Sequence, residues 1–264
     1  MLKIIILGIT LLILSTGLFF LSNFKEKPMT EESKTKLETA PKELEGKISL
    51  ITVYDNYLTD PQLKTGWGFS CWVKTGQKNI LFDTGADSET LLSNMGKLEI
   101  SPEEIDFVFI SHLHGDHTGG LAGILNLKPG LKVYKPEFFS SSTRIVNGVW
   151  TIELLGDGIK EQSLIINSRQ GLIIITGCAH PGVVNIVKKV KEMFPKENIY
   201  LVLGGFHLTG ASDSELNGII SDFRKLGVEK VAPCHCSGDR CRELFKEEYQ
   251  NNFIENGVGK IIEI

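Results

Sequence analysis

The chain is short of the residues that most often do chemistry: 264 residues hold six His, five Cys, three Trp and four Met. A surplus of one charge is also missing, since 28 basic side chains face 32 acidic ones, a net of −4. That balance, with 42% hydrophobic residues, excludes a disordered polyelectrolyte and leaves room for one large core or at most two small ones. Composition excludes a collagen-like chain, and five Cys in so long a sequence exclude a disulfide-dense mini-scaffold. Without excess Lys and Arg, a general nucleic-acid-binding surface is not expected.

What is present begins with an apolar run. Residues 4–21 carry no charge, and eighteen residues at about 1.5 Å each give a helix of roughly 27 Å, enough to span a thin bilayer. Residues 1–24 are therefore expected to form an N-terminal transmembrane anchor, with a cleaved secretory signal as the alternative. No A-x-A-like cleavage site precedes the following charged stretch, which favours the anchor, and no Cys lies near its end, which excludes a lipoprotein. Positive charge at the extreme N-terminus argues for a translocated, extracytoplasmic domain, although Lys25 and Lys27 on the other flank oppose this. Residues 25–47, rich in Lys, Glu, Thr and Pro, read as a flexible tether. Residues 48–264, with 21 basic and 26 acidic side chains, form the remaining domain.

Within it, short apolar runs alternate with amphipathic stretches. Strands are expected at 48–54, 69–74, 79–82, 107–110, 171–175, 199–203 and 230–232, and helices at 88–95, 182–194 and 214–226, with a short turn of helix opening at Ser101-Pro102. His112, His207 and His235 follow strand ends, and His180 lies just beyond another. In α/β sheets ligand-binding groups gather outside the carboxyl ends of strands, so these histidines are expected to converge. The densest cluster is Ser111-His112-Leu113-His114-Gly115-Asp116-His117: three imidazoles and a carboxylate on a strand-to-helix turn, all ligand types suited to zinc. One four-coordinate ion cannot easily use all four; two adjacent ions can.

His112, His114, Asp116 and His117 form the H-x-H-x-D-H motif, and the sequence resembles the metallo-β-lactamase superfamily. Asp83-Thr84-Gly85, Gly177-Cys178-Ala179-His180 and Pro233-Cys234-His235-Cys236 resemble its flanking motifs in order, so the likeness covers residues 48–264. DHTGGL, TGCAHPG, GGFH and CHCSG are similar to the group of 7,8-dihydropterin-6-methyl-4-(β-ribofuranosyl)-aminobenzene-5'-phosphate synthases. The resemblance implies a four-layer αββα sandwich of two similar α/β halves binding two divalent ions, zinc with manganese or iron as alternatives. It places His112, His114 and His180 on the first ion, and Asp116, His117 and His235 on the second. Asp83 is expected to accept a proton from a ligand imidazole. Many hydrolases of the superfamily carry a bridging Asp where this chain has His207, so that His is left to bind metal, the nucleophile or substrate. Trp67-Gly68 stands where the group commonly shows His-Gly.

The implied chemistry is hydrolysis of an ester, thioester, amide or phosphoester of a small, anionic substrate by water acidified on the metals, with Asp116 and His207 as catalytic candidates. A dihydropterin-phosphate synthase-type transferase is one alternative, although such a pathway uses cytosolic phosphorylated intermediates; a membrane-tethered metal or ligand sensor is the other. Of the cysteines, Cys71 and Cys178 read as buried, inert thiols. An extended Cys234-His235-Cys236 would turn both sulfurs away from the metal, and Cys236 could pair with Cys241. Arg144 is a candidate contact for an anionic substrate, and Gly204-Gly205 allow either close substrate approach or tight packing.

Overall fold

The computed structural model describes residues 43–264, residue 45 apart. The apolar run at 4–21 lies outside these residues; among the described residues no helix is long and apolar enough to cross a membrane. Leu44, at the end of the stretch read as a tether, is buried, and its amide donates to the Asn167 carbonyl.

The first half contains β1 (Ser49–Tyr54), β2 (Ser70–Lys74), β3 (Asn79–Phe82), helix α1 (Ser88–Lys97), β4 (Phe107–Phe109), α2 (Gly115–Thr118), α3 (Leu121–Leu127) and β5 (Lys132–Tyr134). The second contains β6 (Thr143–Val146), β7 (Val149–Thr151), β8 (Leu164–Ser168), β9 (Gly171–Thr176), α4 (Val183–Met193), β10 (Ile199–Gly205), α5 (Asp213–Lys225), β11 (Val228–Cys234) and α6 (Asp239–Tyr249). A last strand, β12 (Ile261–Glu263), returns to pair antiparallel with β1. The two six-stranded sheets run β12-β1-β2-β3-β4-β5 and β11-β10-β9-β8-β7-β6.

Three apolar layers separate four structural ones. Leu172 and Ile174 on one face of β9 pack with Val183, Ile186, Val187 and Val190 of α4, while Ile173 and Ile175 on the other face meet Phe82 and Phe109 of the first sheet. Covering both faces explains why these strands are continuous apolar runs rather than alternating ones. A third layer joins Leu91 and Met95 of α1 and Ile124 of α3 to Val53, Trp72 and Leu81. Each such large side chain contributes about 1.5–3 kcal/mol on burial.

The helices begin where the sequence supplies caps. Asp87 accepts from the Thr90 amide at the start of α1, and Ser212, three residues before Glu215, accepts from the Glu215 amide at the start of α5. What matters for the site is strand polarity. β3 with β4, and β9 with β10 and β11, run parallel, and their ends are level: Phe82 pairs with Phe109, and Gly204 pairs with both Thr176 and Pro233. Five chain exits therefore open at the carboxyl ends of parallel strands.

Candidate metal centre

All six histidines lie at these exits, and their rings form one chain of contacts. His207 lies 4.4 Å from His180, which meets His112 at 4.8 Å and His114 at 4.9 Å; His112 meets His117 at 4.2 Å, and His117 meets His235 at 5.1 Å, centroid to centroid. The backbone bends sharply to deliver them. Four of the six non-glycine residues with positive φ among the described residues are Asp83, Ala179, His207 and His235, at +52°, +61°, +55° and +49°. Left-handed backbone costs energy for such residues and persists where the surroundings over-determine it, as they do around a functional site.

Asp83, at the end of β3, organises the first half. Its Oδ1 accepts from the Ser111 amide, and its Oδ2 accepts from Ser111 Oγ and His117 Nδ1, each at 2.7 Å. Because Ser111 spends its hydroxyl proton on Asp83, its oxygen accepts from His112 Nδ1 at 2.9 Å. This assignment of protons gives His112 and His117 the same tautomer, with the Nε2 lone pair of each turned inward. Gly177 makes room for Ser111, since a Cβ there would lie 2.0 Å from Ser111 Oγ.

The second half uses a different device. Buried Glu161 takes the whole turn after β9: its Oε1 accepts from the amides of Gly177, Cys178 and Ala179, and its Oε2 from that of His180, all at 2.9–3.0 Å. Burial pushes this carboxyl up, and the amides of Ala179 and His180 oppose the shift only in part. At the end of β11, Asn56 Oδ1 lies 3.2 Å from His235 Nδ1, which leaves Nε2 facing Asp116 Oδ2 at 3.3 Å. Buried Asp55 lies 3.4 Å from the His235 amide. Glu161, Asn56 and Asp55 carry no motif, and sequence reasoning passed over all three.

Electrostatics keep two of the imidazoles, His112 and His180, in the neutral form that binds a cation. Burial, followed by the neighbouring rings, holds His112 down to about 2, and burial with His207 holds His180 down to about 4. Burial works against ionisation of Asp116, yet contacts with His235 and His117 outweigh it and keep its carboxyl well below the usual range. For His117, burial opposes protonation but the adjoining Asp83 wins. A contact with Cys236 raises His207.

Buried Nε2 atoms of His112, His180 and His235 have no hydrogen-bond partner. Bare imidazole nitrogens converging from separate strands beside a carboxylate are costly unless something positive sits among them, so the residues present fit a metal ion. The donor atoms fall into groups whose members lie within 4.8 Å of one another: Asp116, His117, Cys178 and His235; His112, Cys178 and His180; and Cys178, His207 and Cys236. His114, expected beside His112 and His180, has its ring 4.7 Å from His112 on the exposed lip, outside these close groups.

Several expectations need correcting. Cys178 is buried, as expected, but it stands at the site rather than in the core, since it belongs to all three groups, with Sγ 3.2 Å from His117 Nε2. Residues 234–236 are not uniformly extended, because His235 turns left-handed into a short 3-10 turn, His235–Ser237, which brings Cys236 towards His207 and Cys178. All five cysteines are free, so Cys236 and Cys241 are not bridged. The Cys178–Cys236 contact pushes the Cys178 thiol up, with burial adding to it, and pulls Cys236 down. Arg144 stands on β6, at the opposite edge of its sheet from β11, with its guanidinium 5.8 Å from the Trp150 centroid. Gly204 and Gly205 serve packing: added Cβ atoms would lie 2.1 Å from the Thr176 carbonyl oxygen and 2.4 Å from that of Gly177. Trp67, half exposed, packs its ring 4.9 Å from His235.

A cleft of about 510 Å³ adjoins the cluster at His180 and is lined by Asp157, Pro181, Asn185, Lys188, Lys189 and Glu192, among others. Lys189 pairs with Glu153 at 2.6 Å.

Residues 68–188 match the family described as the metallo-beta-lactamase superfamily. The chain is 31% identical to the 7,8-dihydropterin-6-methyl-4-(β-D-ribofuranosyl)-aminobenzene-5'-phosphate synthase of Methanocaldococcus jannaschii, over 70% of this chain and 84% of that one. An uncharacterized protein of the same organism is 29% identical over 75% of this chain and 93% of its own. A crystal structure of a metal-dependent hydrolase of the β-lactamase superfamily superposes with a TM-score of 0.70 and 28% identity, covering 82% of this chain and 99% of that one. The metallo-β-lactamase fold protein YhfI from Bacillus subtilis shares the fold at a TM-score of 0.61 and 12% identity, over 83% and 100% of the two chains.

Proposed function

The chain belongs to the metallo-β-lactamase superfamily and is an enzyme of that fold; on that premise we propose that it is a metal-dependent hydrolase of an ester, thioester, amide or phosphoester in a small anionic substrate. The observation that carries this reading is the set of buried Nε2 atoms on His112, His180 and His235 that have no hydrogen-bond partner, the last of them 3.3 Å from the Asp116 carboxylate. Two divalent ions, zinc by the chemistry of the donor set, would be held by these residues with His117 and His114. When bound they supply Lewis acidity towards a carbonyl or phosphoryl oxygen and a nucleophilic water near neutral pH.

The chain's own residues do the rest. Asp83 and Ser111 fix the tautomers of His117 and His112, so that no reorganisation is needed as charge develops. Asp116, kept ionised beside His235, is placed to accept a proton from the attacking water and pass it on as the bond breaks. His207, raised by Cys236 and exposed at the mouth, is placed to donate a hydrogen bond to substrate or leaving group. Among so many imidazoles a single carboxylate leaves a bound metal pair with excess positive charge, which favours a negatively charged substrate.

A second reading, transfer rather than hydrolysis, is favoured by the relative whose name is that of a synthase. The two separate in one assay. Purified full chain, reconstituted with zinc or manganese, is offered a panel of phosphodiesters, lactones and thioesters, and separately the precursors of the relative's named product. Hydrolysis of an anionic panel member, abolished together with metal content in the H112A/H114A double variant, is expected; an active, metal-free double variant would sink the reading. We also infer that residues 4–21 anchor the domain on the outer side of a membrane. The uncharged run supports this, and protection of the domain from added protease in intact cells would reverse it.

A further inference from the structure

All three donor groups share a single atom, and two of them hold the histidines whose Nε2 atoms are bare. Cys178 Sγ lies with Asp116, His117 and His235 on one side and with His112 and His180 on the other, all donors in each group within 4.8 Å of one another. We propose that Cys178 is a metal ligand that bridges the two ions, in the role that a carboxylate plays where the superfamily resemblance would have put one and this chain has His207.

Three independent features support it. The first is direction: His112 and His235 are essentially inaccessible, their Nε2 atoms have no partner, and each belongs to a donor group that contains the Cys178 sulfur. The second is the backbone. Glu161 collects four consecutive amides from Gly177 to His180, and Ala179 is held at φ +61°. Hydrogen bonding and strain of this kind in one turn fix the directions of two side chains at once, those of Cys178 and His180 on either side of Ala179. The third is charge. Asp116 is the one carboxylate in these groups, the others being imidazoles and thiols; a thiolate between two dications removes one unit of the excess, and sulfur is a good ligand for zinc. Binding would form two metal–sulfur bonds and release the thiol proton to solvent.

The inference rests on the metal-centre reading, and its test separates the two. Metal-free full chain is titrated with cobalt(II), following the visible ligand-field bands, which report occupancy, and the near-ultraviolet thiolate-to-cobalt band, which reports sulfur ligation. Wild type should develop both. C178S should lose the thiolate band while keeping ligand-field bands, and C236S should keep both. X-ray absorption on the zinc-loaded wild type should find about one sulfur per zinc near 2.3 Å; this measurement stands even if C178S fails to fold. A thiolate band that survives in C178S or disappears in C236S overturns the bridge, as does about half a sulfur per zinc, which means a terminal ligand. Ligand-field bands without any thiolate band leave the metal centre in place and remove Cys178 from it. Absence of both bands in wild type overturns the metal centre and the bridge together.

Discussion

The two halves bring their ligands to the same point by opposite means. The first concentrates His112, His114, Asp116 and His117 in one turn and steadies two of the rings by side chains, through the Asp83–Ser111 relay. The second sends single residues from three strand ends and steadies them through the backbone, with Glu161 gripping four amides and left-handed φ at Ala179, His207 and His235. A turn packed with ligands needs its rings oriented; a lone ligand at a strand end needs its main chain placed first. The difference makes distinct failures for the two halves.

Asp83→Ala should give the largest effect. It removes the acceptor of the Ser111 amide, the Ser111 hydroxyl and the His117 ring, all buried. At about 1–3 kcal/mol for each orphaned donor, with partial relaxation, the loss should reach about 3–5 kcal/mol in denaturant unfolding. Metal affinity should fall at least 10–100-fold. Because His112 and His117 belong to different donor groups, both ions should leave together on dialysis; a variant that keeps one ion at wild-type affinity contradicts the relay.

Glu161→Gln should be milder and one-sided. The amide oxygen can still serve the three amides at Oε1, but the new NH2 would face the His180 amide, donor against donor. About 1–3 kcal/mol of stability should go, with metal affinity down about 10-fold while the Asp83 relay remains intact. Equal losses for both variants would mean that the halves are not steadied independently.

This contrast also explains what could be read in advance. A ligand turn is local, so H-x-H-x-D-H is visible in six successive residues, and strands covered on both faces, such as β9 and β10, announce themselves as apolar runs bounded by Gly and Thr. Glu161 works through amides 16 to 19 residues further on, a relation that exists only once β8 and β9 have paired. The antiparallel β6–β7 hairpin and β12, which joins β1 from the other end of the chain, are three- and four-residue strands defined by partners rather than by pattern. At Cys234-His235-Cys236 extended geometry would put both sulfurs behind the imidazole; His235 at φ +49° turns Cys236 towards His207 instead, although neither sulfur joins the donor group of His235.

The smallest predicted effect is the control that lies outside both devices. Asp87 caps α1 by accepting from the Thr90 amide at 2.7 Å and ties it to β1 by accepting from Tyr54 Oη at 2.8 Å. Burial opposes ionisation of Asp87, but the Thr90 amide and the Tyr54 hydroxyl prevail and lower its carboxyl below the ordinary value. A carboxylate depressed in the folded state adds stability that is present above the unfolded pKa of about 4 and is lost as pH falls through the lower folded value. Asp87→Ala should therefore cost about 1 kcal/mol at neutral pH, the gap from wild type should close below about pH 4, and Asp87→Asn should recover most of it because Asn caps well. Metal content should not change in either variant. A cost that persists undiminished at low pH would mean that packing around Tyr54, not the charged cap, holds α1 against the first sheet.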